Sequence, residues 1–101
     1  MISTMNAFTF TTILEASQHG KGIYHFAMVP PPIADVLSDA PVPRAGFGSI
    51  KCQATIGNTV WSTSVFPTDG LYVLLIAKKI MMAEDLHIGD QVEITLSIRE
   101  L

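Results

Sequence analysis

The sequence predicts a single domain of mainly β structure, and three observations lead to this prediction. The chain has 101 residues, which is the length of one domain, so we expect one domain over residues 1–101. Hydrophobic residues make up 49% of the chain and charged residues 15%, a balance that supports a packed core and argues against disorder. Apolar and polar residues also alternate in steps of two along two long segments, as they do in strands that bury one face.

Two strands are predicted near the N-terminus, over residues 8–16 and 22–29. Both segments are rich in aromatic and β-branched residues, which favour strands. The polar residues 17–21 lie between them. Together the three segments predict a hairpin with a long and mobile turn.

The three consecutive prolines at positions 30–32 end this strand pairing, because proline has no amide hydrogen to donate. Pro32 suits the first position of a helix, since its φ angle is already close to helical, and we expect a short helix over about residues 33–37. Residues 38–48 contain turn-forming residues without any period, which predicts a mobile loop.

A second hairpin is predicted over residues 48–66. Its first strand alternates small or apolar residues with polar ones, and the inward set is Ile50, Cys52, Ala54 and Ile56. The pair Gly57-Asn58 can supply the positive φ angles that two-residue hairpin turns require.

The C-terminal part of the chain predicts two further strands and a helix. Residues 71–77 are apolar on both faces, as in a strand that is covered from both sides. Residues 78–86 contain good helix formers, and Gly89 ends this segment. Residues 90–99 alternate again, and their inward set is Val92, Ile94, Leu96 and Ile98.

Charge and hydropathy argue against a nucleic-acid partner and against a membrane-spanning segment. Lys and Arg number 6 and Asp and Glu number 9, so the net charge is −3 and we expect no nucleic-acid partner. The longest apolar run, residues 71–77, is far shorter than the roughly 20 residues of a membrane-spanning helix. The N-terminal residues contain neither a basic residue nor an apolar segment typical of a secretory signal. We therefore expect a cytoplasmic protein that does not span a membrane.

Eight short motifs occur in a specific order along the chain. They are Gly-Lys-Gly-Ile-Tyr at 20–24, Val-Pro at 29–30, Gly-Ser-Ile-Lys at 48–51, Thr-Ile-Gly-Asn-Thr at 55–59, Trp-Ser-Thr-Ser-Val-Phe-Pro at 61–67, Tyr-Val-Leu at 72–74, Lys-Lys at 78–79 and Gly-Asp-Gln-Val at 89–92. In this order and spacing they resemble the bacterial family of domains of unknown function number nineteen-oh-five (DUF1905), over about residues 8–98.

The resemblance implies a small closed or split β-barrel of about six strands with one or two short helices, and it implies no established activity. In some members of the family a second domain follows, linked by name to bacteriocin protection (YdeI/OmpD-associated). The family tends to place an arginine after the lysine pair, whereas this chain has Met81 there. Four residues of the shared motifs are candidates for a polar, ligand-binding pocket: Trp61, Ser64, Lys78 and Asp90.

The residues that most often carry catalysis have a simpler interpretation here. Cys52 alternates with buried residues, which indicates a small core side chain rather than a nucleophile. The three histidines lack the spacing of metal ligands, so we expect no metal site and no cofactor. The hydroxyl cluster at 62–64 lacks the glycines of a nucleophile elbow, which favours a structural role. We therefore predict no catalytic residue.

Three functions remain as hypotheses at this point. The favoured hypothesis is a non-catalytic barrel that binds a partner protein or a small ligand. The second is an enzyme or enzyme accessory that uses the polar pocket, and the third is a DNA-binding barrel, which the low basic content argues against. The apolar excess of residues 71–77 and of Met81-Met82 further predicts a homodimer.

Overall fold

The computed structural model describes residues 5–99, in which seven strands and two α-helices occur. The elements are β1 (Met5–Ile13), β2 (Glu15–His19), β3 (Gly22–Val29), α1 (Pro31–Asp39), β4 (Ile50–Ile56), β5 (Thr59–Thr68), β6 (Leu71–Ile76), α2 (Lys78–Ala83) and β7 (Gln91–Arg99), with a short 3-10 turn at Gly46–Gly48 between α1 and β4. The mainly β fold with two short helices is confirmed.

The strands form one antiparallel sheet in the order β1-β7-β4-β5-β6-β3-β2. β1 and β2 lie at opposite ends of this order, yet only Leu14 separates them along the chain. Leu14 is buried, its amide donates a 2.9 Å hydrogen bond to the Asp90 carbonyl, and its carbonyl accepts one of 2.9 Å from Gly89. The sheet therefore curls toward closure, which gives the barrel-like shape.

The N-terminal hairpin differs from the one that the sequence predicts. β2 pairs with β3 from Glu15↔Phe26 to His19↔Gly22, so the turn consists of only Gly20 and Lys21. β1 instead pairs with β7 along its whole length. The prediction that residues 8–16 pair with 22–29 is thus wrong for most of the first strand, because pairing with β7 closes the sheet and leaves no local trace in the sequence.

The inward sets predicted for β4 and β7 are confirmed. All eight side chains are buried and belong to one hydrophobic core: Ile50, Cys52, Ala54, Ile56, Val92, Ile94, Leu96 and Ile98. Lys51, Gln53 and Glu93 are exposed, as expected. Thr95 is half-buried rather than exposed: it lies between Thr9 on β1 and Thr55 on β4, and its hydroxyl shares a 2.9 Å hydrogen bond with that of Thr9.

Helix α1 is longer than the predicted span 33–37 and buries Ala34 and Leu37. The loop after it is held by Arg44, whose guanidinium donates to the Leu37 carbonyl at 3.0 Å and to the Tyr72 hydroxyl at 3.1 Å. The loop predicted to be mobile is thus tied to both α1 and β6.

Helix α2 is shorter than the predicted span 78–86 and follows directly on β6. It buries Ile80 and Met81, and the Met81 carbonyl accepts a 2.7 Å hydrogen bond from the Leu86 amide. Within residues 5–99, neither helix has the length and apolar character needed to cross a membrane.

Candidate functional site

A split in the sheet creates the candidate site. β6 pairs with the last residues of β5, from Val65↔Leu74 to Thr68↔Leu71, and with β3 from His25↔Ile76 onward. After Ile76 the chain leaves the sheet and enters α2. Within residues 5–99, the start of β5 therefore pairs with β4 alone and the start of β3 with β2 alone. The starts of β3 and β5 face each other without a strand between them.

The split opens onto a cavity of about 710 Å³, which we call the split site. Its walls come from the start of β3, the start of β5, the β6–α2 junction and the loop before β7. The residues are Lys21, Ile23, Tyr24, His25, Trp61, Thr63, Leu75, Ile76, Ala77, Lys78 and Ile88.

Strand register explains why Trp61 and Thr63 line the split site. On β5 these residues lie opposite Ala54 and Cys52, which are buried, so their side chains point to the inner face of the sheet. Because β6 has left the sheet here, both side chains are only half-buried. Trp61 still packs against the core with part of its indole ring.

The split site has a positive charge on a protein whose net charge is −3. Lys21 and Lys78 are both exposed at its rim, and none of its lining residues is Asp or Glu. A neighbouring cavity of about 360 Å³ shares Lys78 and His25 and also includes Asp85. The Asp85 carboxylate lies 3.8 Å from the His87 ring, and its side chain is 95% exposed, so water weakens its influence on the lysines.

The structure brings together two of the four residues that the sequence proposes for a pocket. Trp61 and Lys78 both line the split site. Ser64 lies opposite Lys51 on the outer face of β5 and lines another concavity of about 620 Å³, which shares Thr63 with the split site. Asp90 lies in the turn before β7, where its carboxylate accepts a 2.8 Å hydrogen bond from the His87 amide. Ser64 and Asp90 are thus separate from the other two.

Four further lining residues do not belong to the pocket that the sequence predicts: Lys21, Ile23, His25 and Thr63. Thr63 could have been found, because the turn at 57–58 places Ile56 opposite Thr59 and every second residue of β5 then faces inward. Lys21 and the two β3 residues reach the site only because the β2–β3 hairpin folds beside the split. No local pattern signals that arrangement.

Cys52 is a core residue, as the alternation predicts. Its side chain is buried, and burial raises the pKa of the thiol from its ordinary value of 9.0 to about 11. The thiol therefore stays protonated near neutral pH, in the form that is a poor nucleophile.

Comparison with known protein families identifies the family of this chain. The family model described as Domain of unknown function (DUF1905) matches residues 10–96, which is most of the chain. The chain belongs to this family. The resemblance seen in the eight motifs is thus confirmed. A search of the curated proteins found no match. The description of this family assigns no activity to its members.

Proposed function

We propose that this protein is a non-catalytic module that binds a small molecule in the split site. One observation carries the proposal: the loss of β6 beside the start of β5 leaves Trp61 and Thr63, two inner-face side chains, facing an open cavity. Elsewhere the inner face of β4, β6 and β7 is filled by buried core residues. A ligand in the split site can therefore contact inner-face side chains at the start of β5.

The composition of the split site supports this role. Its volume of about 710 Å³ lies in the range of roughly 300–1,000 Å³ that is typical of small-molecule sites. Such sites combine apolar walls with a few polar groups that orient the ligand. Ile23, Ile76 and Ile88 form apolar wall, while Thr63 and His25 supply polar groups.

An enzyme remains the second hypothesis, and the arrangement of its residues favours it less. The proposed polar pocket would need Ser64 and Asp90 beside Trp61 and Lys78, but the four lie in three different places. The Cys52 thiol is held protonated by burial. A binding role does not require these groups to act together. We also propose a cytoplasmic location, since a single unpaired cysteine is typical of reducing compartments.

The chain has one tryptophan, so its intrinsic indole fluorescence reports on the split site directly. We expect a thermal-shift screen against a metabolite library to yield compounds that raise the Tm, because a ligand that binds the native state stabilises it. The same compounds should change the emission of Trp61. Thr63→Val should weaken their binding, whereas Ser64→Ala, on the outer face of the same strand, should not. Compounds that raise the Tm without either effect would place binding elsewhere and contradict the proposal.

We further propose that the chain forms a homodimer through the outer face of β3 and β6. The cross-strand pairs Phe26↔Leu75 and Met28↔Val73 lie side by side on that face, around a concavity of about 470 Å³ whose lining contains no Asp, Glu, Lys or Arg. Leu75 is 43% exposed. Because no carboxylate, ammonium or guanidinium group lines this concavity, two copies can meet there without desolvating one of these ions, and a two-fold contact buries both surfaces at once.

A further inference from the structure

We infer that the ligand of the split site is an organic anion, a carboxylate or a phosphate, with a flat apolar body. The inference rests on the proposed function and specifies the class of molecule that the site takes. It follows from three features of the lining residues: their charge, their hydrogen-bonding groups and their apolar surfaces.

The charge of the lining favours an anion. Lys21 and Lys78 are two of the six basic residues of the chain, and both lie at the rim of the split site. Within residues 5–99, neither ammonium group forms an ion pair, since the ion pairs found there join His87 to Asp85 and Asp90. A ligand anion would therefore meet two available cations without displacing a protein carboxylate.

The hydrogen-bonding groups of the lining also favour an anion, because most of them can only donate. The Trp61 indole nitrogen and the two lysine ammonium groups are donors without an acceptor function. Thr63 and His25 can each donate as well. None of these five side chains forms a hydrogen bond with another side chain or with the backbone in the part of the chain that the structure describes. A carboxylate has two oxygens that accept up to about four hydrogen bonds, so it matches this set, whereas an ammonium ligand does not.

The apolar surfaces specify the body of the ligand. Trp61 contributes an indole ring to the lining, and Ile23, Ile76 and Ile88 line the remaining wall. A flat apolar group can stack on the indole while it contacts the isoleucines. Lysines rather than arginines supply the positive charge here, and an ammonium group binds carboxylate and phosphate alike as a point charge. The test therefore includes one compound of each class.

The test compares four compounds that share one naphthalene ring: naphthylacetate, the neutral naphthylacetamide, the cation naphthylethylammonium and naphthyl phosphate. Isothermal titration calorimetry on the full chain gives each affinity. We expect naphthylacetate to bind about tenfold more tightly than the amide, which is the gain from charge-assisted hydrogen bonds, and the ammonium compound to bind more weakly than the amide.

Neighbouring lysines on α2 provide a matched control. Lys78→Gln and Lys21→Gln should each weaken naphthylacetate binding by about three- to tenfold and leave the affinity for the amide unchanged. Lys79→Gln removes the same charge from the next residue, which is exposed and does not line the split site, so it should change neither affinity. The circular dichroism and Tm of each variant establish that it is folded.

The outcomes separate this inference from the proposed function. If the amide or the ammonium compound binds as tightly as naphthylacetate, or if Lys79→Gln has the same effect as Lys78→Gln, the inference is wrong and the split site still binds a small molecule. The tighter binder of naphthylacetate and naphthyl phosphate identifies which anionic group the split site prefers. If none of the four compounds binds while the library yields a neutral ligand, the inference fails and the proposed function stands. If neither experiment yields a ligand, both are rejected.

Discussion

The hydroxyl of Thr59 donates a 2.6 Å hydrogen bond to the carboxylate of Glu84. Thr59 is the first residue of β5 and Glu84 directly follows α2, so this contact joins the β4–β5 hairpin to the end of the helix. The backbone of Gly57 comes close to the same carboxylate, and a methyl group at this position would overlap it. The contact holds the end of α2, and the first residue of this helix, Lys78, lines the split site. The contact therefore helps to position one wall of the split site.

The first prediction concerns this contact. Thr59→Val removes the hydroxyl but keeps the shape, and we expect it to lower the free energy of unfolding by about 1–2 kcal/mol, since the bond is partly buried and its acceptor is charged. Urea denaturation measures the loss. A double-mutant cycle with Glu84→Gln should give a non-additive result, because both changes act on one bond. Ser62→Ala, at an exposed site on the same strand, serves as the control and should change little. Additive effects would mean that the two side chains do not interact.

The second prediction concerns the core position of Leu96. This side chain is fully buried on β7 and lies opposite Ala54 on β4. Leu96→Ala should therefore cost about 2–5 kcal/mol, from lost burial and the cavity that it leaves. Glu93→Ala, at an exposed position on the same strand, should cost far less. Denaturant unfolding of the two variants compares them, and equal losses would contradict the observed register of β7.

Strand alternation was sufficient to predict much of the interior. β4 and β7 each follow a strict period of two, so the burial of Ile50 and Ile94 could be predicted from their neighbours alone. The Gly57-Asn58 turn likewise set the register of the second hairpin. Each of these features depends on residues that are neighbours in the chain, so the sequence alone can predict it.

The split site could be predicted only in part, because long-range pairing creates it. Trp61 faces inward by register, but the split beside it exists because β6 ends at Ile76 and the chain turns into α2. Lys21 belongs to a distant hairpin, and its approach depends on the pairing of β3 with β6. The apolar run 71–77 predicted a strand without indicating that β6 would leave β5 halfway along its length.

The third prediction concerns the reactivity and pH dependence of Cys52. The buried thiol should react slowly with alkylating reagents in the native protein and quickly after denaturation, as mass spectrometry can measure. The folded state raises the pKa of this thiol from 9.0 to about 11, so between these values the folded chain holds more protons than the unfolded chain. Its contribution to stability is complete below pH 9.0 and declines as the pH rises toward about 11.

Cys52→Ala separates this effect from the other groups that titrate at high pH. The difference in unfolding free energy between the parent and the variant should become smaller as the pH rises through that window. A difference that stays constant with pH, or rapid alkylation of the native protein, would show that the thiol is accessible to water.

The fourth prediction concerns self-association through the outer face of β3 and β6. The apolar excess that the sequence predicts comprises residues 71–77 and Met81-Met82, but Met81 is part of the core, and Met82 is the member of this pair that is 72% exposed. Leu75 lies opposite Phe26 at the centre of the proposed contact. Leu75→Glu would place a charge there, and burying that charge in both subunits should convert the dimer to a monomer.

Met82→Glu, on α2 and outside this face, is the matched control and should leave the dimer intact. Light scattering across a dilution series measures the mass, and a parent protein that stays near 11.0 kDa at every concentration would exclude the dimer.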